Sequence, residues 1–188
     1  MCKKLLVLSD THGSVAALAS VLTRANDFSP DAAVFLGDGF EDLDAATAST
    51  GFFRPWQKVR GNNDYGVVYQ ETGVFDFAGR RFFICHGHRF NMYRGMDLLI
   101  NAARNHEADV ALFGHTHVPF FLDVGGLSLI NPGSVGQPRS RAGATFAIIE
   151  CPAEGPLKTE FLKIEQNGDV STLSVSSSSA EYPDSFQG

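Results

Sequence analysis

Apolar residues along this chain fall into short continuous runs, each closed by a polar or glycine-bearing turn, with helical spacings between them. Leu5-Leu6-Val7-Leu8 stops at Ser9-Asp10, so Lys3 to Leu8 reads as a strand buried on both faces. Ser14 follows as an N-cap ahead of Val15, Leu18, Val21 and Leu22, which recur at helical spacing. Asp31 to Leu36 is a second strand and Glu41 to Ser49 a weaker helix. Val74–Phe77 and Arg81–Cys85 flank Ala78-Gly79-Arg80 as a hairpin, with glycine at the turn. Gly95 to Asn105 reads as helix, and Val110 to Phe113 as another buried strand. Beyond it the pattern is strands alone: Phe120–Val124 and Leu127–Ile130 around Gly125-Gly126, then Thr145–Glu150 and Leu157–Ile164. Strand–helix units followed by hairpins predict an α/β (α+β) fold, two mixed β-sheets packed face to face with flanking helices, a four-layer αββα sandwich. The domain is expected over 1–173. From about Ser174 the chain runs through Ser176-Ser177-Ser178-Ser179 with few apolar residues, so 174–188 reads as a flexible C-terminal tail.

Composition agrees with a single core: 188 residues at 44% apolar content suffice for one domain and are short for two. The start, Met1-Cys2-Lys3-Lys4 before Leu5, resembles a signal peptide only superficially, because the apolar run is too short and ends in Ser9-Asp10. No stretch suits a membrane span, and a cytoplasmic location is expected. Cys2, Cys85 and Cys151 show no paired spacing, so neither a disulfide framework nor a zinc knuckle is indicated, and Cys85 reads as a small core residue. A net charge of −6 without a basic stripe argues against broad nucleic-acid affinity. Most of the 16 phenylalanines belong in the core; Phe52-Phe53, Phe120-Phe121 and Phe90 fall near loops and are candidates for a homodimer or higher homo-oligomer contact.

Candidate chemistry concentrates where the runs end. Five of the six histidines sit in three motifs: Ser9-Asp10-Thr11-His12, His86-Gly87-His88 and Gly114-His115-Thr116-His117. Imidazole and carboxylate suit borderline divalent ions such as zinc, manganese and iron, and strand ends can aim such ligands at one point. Val34-Phe35-Leu36 running into Gly37-Asp38-Gly39, and Val59-Arg60 into Gly61-Asn62-Asn63-Asp64, follow the same grammar. His106, in the helical Asn101-to-Glu107 stretch, fits no motif and reads as a surface residue near a helix C-terminus.

In this order, Asp10-Thr11-His12, Gly37-Asp38, Gly61-Asn62-Asn63-Asp64, His86-Gly87-His88 and Gly114-His115-Thr116-His117 resemble the motifs of the calcineurin-like metallophosphoesterases over about residues 3 to 150. Asn131-Pro132-Gly133-Ser134 and Pro138-Arg139 are most similar to the small single-domain bacterial and archaeal phosphodiesterases. The resemblance implies a first metal held by Asp10, His12, Asp38 and His117, and a second held by Asp38, Asn62, His86 and His115, with Asp38 bridging. It implies two divalent ions, manganese first among iron, zinc, nickel and cobalt, and a small phosphate ester as substrate. Two ions roughly 3.5–4 Å apart lower the pKa of a shared water and clamp phosphate oxygens, so a metal-bridging hydroxide can attack phosphorus in line. A non-catalytic reading also exists, since the phosphoesterase-fold subunit of the retromer sorting complex resembles these enzymes but has lost ligands. A phosphomonoesterase or dinucleotide hydrolase would keep the chemistry and change the substrate.

Where several relatives carry a histidine after Gly-Asn, this chain has Asn63, which donates a hydrogen bond but cannot deliver a proton. Work on poor leaving groups is therefore expected to be weak. Asp64 either orients that position or caps the following turn. His88 either acts as a proton donor or is a supporting group that holds His86 or shapes the loop. Arg60 and Arg139 are candidates for contacting the substrate phosphate, with plain solvation as the alternative.

Overall fold

The computed structural model describes residues 2–165 and 168–175 of the chain. Lys3–Leu8 forms β1, in which side chains alternate between two apolar environments: Leu6 and Leu8 enter one cluster, Leu5 and Val7 another. That double burial is why the run is continuously apolar. Then follow α1 (Val15–Ala25), β2 (Ala32–Phe35), α2 (Phe40–Thr50), β3 (Trp56–Lys58), β4 (Thr72–Phe77), β5 (Arg80–Cys85), α3 (Asp97–Asn105) and β6 (Val110–Phe113). The chain continues with β7 (Pro119–Val124), β8 (Leu127–Pro132), β9 (Thr145–Cys151), β10 (Lys158–Ile164) and β11 (Val170–Leu173).

Six strands make one sheet in the order β11-β10-β9-β1-β2-β3, and five make the other in the order β4-β5-β6-β8-β7. Both are mixed, as predicted. Pairing is parallel along β1–β2–β3 and along β5–β6–β8, and antiparallel elsewhere. Leu18, Val21 and Leu22 of α1 and Leu43 and Ala46 of α2 pack with Leu6, Leu8, Phe35, Phe146 and Ile148 on the outer face of the six-stranded sheet. Leu99 and Ala103 of α3 pack with Phe83, Cys85, Ala111 and Phe113 on the outer face of the other. Between the sheets lie Leu5, Val7, Val34, Phe82, Ile84, Leu112 and Ile149, giving the αββα layering. Truncating one of these fully buried leucines or isoleucines to alanine costs about 2–5 kcal/mol, so the central layer fixes the spacing of the two sheets.

Several expectations shift. The hairpin strands begin at Thr72 and Arg80 rather than Val74 and Arg81. The third helix begins at Asp97, because Met92–Arg94 is a 3-10 turn and Gly95 follows at φ 125. β3 and β11 carry no apolar run; both are edge strands, where polar residues such as Gln57 and Thr172 face water. Ser14 occupies the N-cap position of α1 without a capping side-chain hydrogen bond. Phe52 and Phe120 are core residues rather than surface anchors, while Phe53 is 80% exposed. His106 is exposed just past α3, stacked on Phe83 with ring centroids 5.5 Å apart. Of the expected tail, Val175 packs against the layer between the sheets, and 176–188 lie outside the described residues. Among the described residues no helix is long and apolar enough to cross a membrane.

Candidate metal centre

The C-terminal ends of the parallel strands in both sheets point the same way, and each opens into one of the expected loops. β1 leads to Ser9-Asp10, β2 to Gly37-Asp38, β3 to Gly61-Asn62, β5 to His86 and β6 to Gly114-His115. Carboxyl ends of parallel strands are the usual ligand-binding edge of α/β sheets. Asp10, His12, Asp38, His115 and His117 all adopt positive φ, between 44° and 66°. Left-handed backbone at non-glycine residues costs on the order of 1–3 kcal/mol each and persists only where surrounding contacts impose it.

Those contacts are specific. Asp10 N–H donates to Gly37 O at 3.0 Å, while Thr11 N–H and His12 N–H donate to Asp38 O at 3.0 and 3.1 Å. The Asp64 carboxylate accepts from the backbone N–H groups of Asp38, Gly39, Phe40 and Gly61 at 2.7–3.1 Å. It thereby ties the Asp38 loop, the start of α2 and the Gly61 loop together, instead of orienting position 63 or capping the turn that follows. A Cβ at Gly61 would lie 2.0 Å from Asp38 Oδ1, so only glycine permits this approach. Asp42, in the first turn of α2, accepts from Thr11 Oγ1 at 2.5 Å and Gly13 N–H at 2.7 Å, holding the His12 loop. Ser134 donates to Asp10 O at 2.7 Å, and Asn131 Nδ2 donates to Gly114 O at 2.8 Å. The Asn-Pro-Gly-Ser segment thus links the β1 and β6 loops. Asp42 is the element absent from the sequence reading. Its position four residues after Asp38 is compatible with the same loop system, but only the fold brings Thr11 against it.

Two clusters result, Asp10 with His12 and His117, and Asp10 with Asp38 and His86, each holding ligand atoms within 4.8 Å of one another. His117 Nε2 lies 3.1 Å from Asp10 Oδ1, and His12 Nε2 lies 3.2 Å from His117 Nε2. Asp38 Oδ2 lies 3.6 Å from His12 Nε2 and 3.4 Å from His86 Nε2, between the two groups. His115 belongs to neither cluster; its ring packs beside that of His86, with centroids 5.2 Å apart. Asn62 is exposed at the rim. Leu36 O lies 2.7 Å from His86 Nδ1 and Gln137 O 2.6 Å from His117 Nδ1, which turns each Nε2 toward the carboxylates. The Leu36 carbonyl thus orients His86, whose ring also lies beside that of His88, with centroids 5.5 Å apart.

Burial raises the Asp10 carboxyl, but the neighbouring His117 and His12 outweigh it and hold the group well below the usual carboxylate range. Asp38 follows the same balance, burial opposed by His86, and is also lowered. His12 is raised by its contact with Asp10. Burial works against the charged form of His86, yet Asp38 and Asp10 raise it overall. Burial, with the charge of His86, pulls His115 down to about 4. The centre therefore combines charged carboxylates with imidazoles, among which His115 is neutral at pH 7.

The remaining candidates occupy the flanks. His88 is lowered by burial and by His86, and its Nδ1 is buried without a hydrogen-bond partner among the described residues. Arg60 is engaged by Glu71 at 2.8 Å, and Glu71 also takes Arg89 at 3.0 Å, so Arg60 is part of an ion-pair group rather than a free phosphate donor. Arg139 is exposed and donates to Tyr93 Oη at 2.7 Å. Asn63 donates through its backbone to Asp38 Oδ1 at 2.8 Å and through Nδ2 to Asp38 Oδ2 at 2.6 Å.

The residues fit a pair of divalent ions. Asp10 Oδ1 and His86 Nε2 are fully buried and hydrogen-bond to nothing among the described residues, though they face the shared cluster. A buried polar atom without a partner costs about 1–3 kcal/mol, which a cation at this point would relieve. The chain is similar to known phosphoesterases. A probable metallophosphoesterase of Mycoplasma pneumoniae is 32% identical over 140 residues, covering 73% of this chain and 82% of its own. Phosphodiesterase YfcE of Escherichia coli K12 is 27% identical over 168 residues, covering 78% and 87%. A crystal structure of a predicted phosphoesterase from Streptococcus pneumoniae superposes with a TM-score of 0.74 at 27% identity, covering 87% of this chain and 90% of that one. The calcineurin-like phosphoesterase superfamily domain matches residues 4–154, and with the two carboxylate–histidine clusters at its strand ends the chain belongs to that family.

Proposed function

We infer that the protein is a two-metal phosphodiesterase acting on a small phosphodiester. The observation that carries this reading is the pair of buried atoms Asp10 Oδ1 and His86 Nε2, which make no hydrogen bond among the described residues and sit within two adjoining carboxylate–histidine clusters. Asp10, His12, Asp38 and His117 would hold one ion, and Asp38, His86, His115 and Asn62 the other, with Asp38 shared. When bound, such a pair supplies a water of lowered pKa and positive charge on the phosphate oxygens. The chain's own contribution is positioning. Asp64, Asp42, Ser134 and the Leu36 carbonyl fix the ligands before substrate arrives, so little reorganisation accompanies the reaction. Asn63, held on Asp38, offers no proton to a leaving oxygen, which favours diesters with good leaving groups over monoesters.

The test is hydrolysis of bis-p-nitrophenyl phosphate after chelation and after reloading, with manganese first and iron, zinc, nickel and cobalt in parallel. The chelated protein should be inactive and the reloaded protein active. Equal turnover in both states would overturn the reading.

A further inference from the structure

Beside the metal cluster a cavity of about 350 Å³ opens along His12, Asp38 and Asn63 toward Glu41, Tyr65 and Val67. Its lining contains no lysine or arginine. Two of its carboxylates, Asp42 and Asp64, are buried and already accept hydrogen bonds, whereas Glu41 is exposed. Tyr65 is 85% exposed, and Phe40 in the floor is braced by Tyr69, stacked on it at 4.6 Å between centroids. The opposite flank differs in sign. There Tyr93 lies against His115, with centroids 5.8 Å apart, and accepts a hydrogen bond from the exposed Arg139.

We propose that one ester arm of the substrate lies in the groove between Glu41 and Tyr65, and that this arm is uncharged and carries a flat ring. The inference rests on the phosphodiesterase reading and names the substrate class of that site. An anionic arm placed there would meet the exposed carboxylate of Glu41, and Lys58, whose Nζ lies 5.7 Å from the Phe40 and Tyr69 ring centroids, is no part of the lining, whereas a neutral ring can lie on the Tyr65 face. Anionic groups are better placed on the Arg139 flank. A diester with two anionic arms therefore has no good orientation, and one with two neutral aryl arms has two.

The experiment compares bis(4-carbamoylphenyl) phosphate, with both arms neutral, against bis(4-carboxyphenyl) phosphate, with both arms anionic. Hydrolysis by the metal-loaded protein and equilibrium binding by titration calorimetry are both measured. The wild type should prefer the diamide. Glu41→Lys should shrink that preference roughly five- to tenfold in kcat/KM and in binding, an effect in which intrinsic leaving-group differences cancel. Tyr65→Ala should raise KM for the diamide roughly three- to tenfold with a smaller change in kcat, and Tyr65→Phe should restore it. A preference unchanged in Glu41→Lys, or a KM unchanged in Tyr65→Ala, would overturn the proposal. Binding that keeps the preference and its response to Glu41→Lys, without hydrolysis of either diester, would support the groove while removing the phosphodiesterase reading.

Discussion

Asp10 Oδ1 and His86 Nε2 stand 3.9 Å apart in the interior of the strand-end cluster, and neither hydrogen-bonds to another described residue. Such atoms are normally paired, so their shared orphanhood marks a point where a cation fits. Protons compete for the same place. His12 and His86 are both raised above the ordinary 6.5 by Asp10 and Asp38, and a metal ion must displace those protons. Metal affinity should therefore be weak below the ordinary imidazole value, climb with pH through the raised values of His12 and His86, and then level off. His115, pulled down to about 4, is already neutral and adds nothing to that slope. Calorimetric titrations in two buffers of different ionisation enthalpy should show net proton release near pH 7. An affinity that stays flat from about pH 6 to about pH 8 would contradict the assignment.

Asp64 is expected to matter for stability before it matters for chemistry. Its carboxylate accepts four backbone N–H groups and is only 6% exposed. Removing it leaves those donors unpaired, so Asp64→Ala should lower unfolding free energy by about 3 kcal/mol or more, measured by urea denaturation of the metal-free protein. A change within about 0.5 kcal/mol would show that water replaces the carboxylate freely.

Asn63→His should raise hydrolysis of monoesters and unactivated diesters more than that of p-nitrophenyl diesters, whose leaving group needs little protonation. A well-placed general acid is typically worth about 100- to 10,000-fold, and an imidazole introduced without supporting contacts should deliver roughly a few-fold to tens-fold. The substitution also removes the Nδ2 bond to Asp38, so metal content is measured alongside rate. Equal changes on both substrate types at constant metal content would show that position 63 does not act on the leaving oxygen.

Much of this was legible in the chain because strands buried on both faces read as continuous apolar runs, and because the ligand motifs follow directly after them. The alternation of Leu5 and Val7 against Leu6 and Leu8 is invisible as a pattern, since both faces are apolar, yet the length of the run and its abrupt end at Ser9-Asp10 define the strand. β3 and β11 escaped notice because edge strands need no apolar face. Long-range pairings were also beyond reach. Nothing local says that Asp64 turns back to the Asp38 and Gly61 amides, that Asp42 grips Thr11, or that Arg60 and Arg89 share Glu71. Each depends on which strand ends the two sheets bring together. Phe52 and Phe120 show the same limit: sequence position near a loop boundary does not set which way a phenylalanine faces, and both turn inward.

The central claim is a centre of two ions joined through Asp38, whose Oδ2 lies within 3.6 Å of both His12 and His86. Metal content per chain, determined by elemental analysis after reloading and gel filtration, and compared between wild type and Asp38→Ala, tests it most directly. About two ions in the wild type, with one or none in Asp38→Ala and a fall in diester hydrolysis of well over tenfold, about 1.4 kcal/mol or more in activation free energy, is the expected result. An Asp38→Ala protein that keeps both ions, with activity within about tenfold of wild type, would contradict the account.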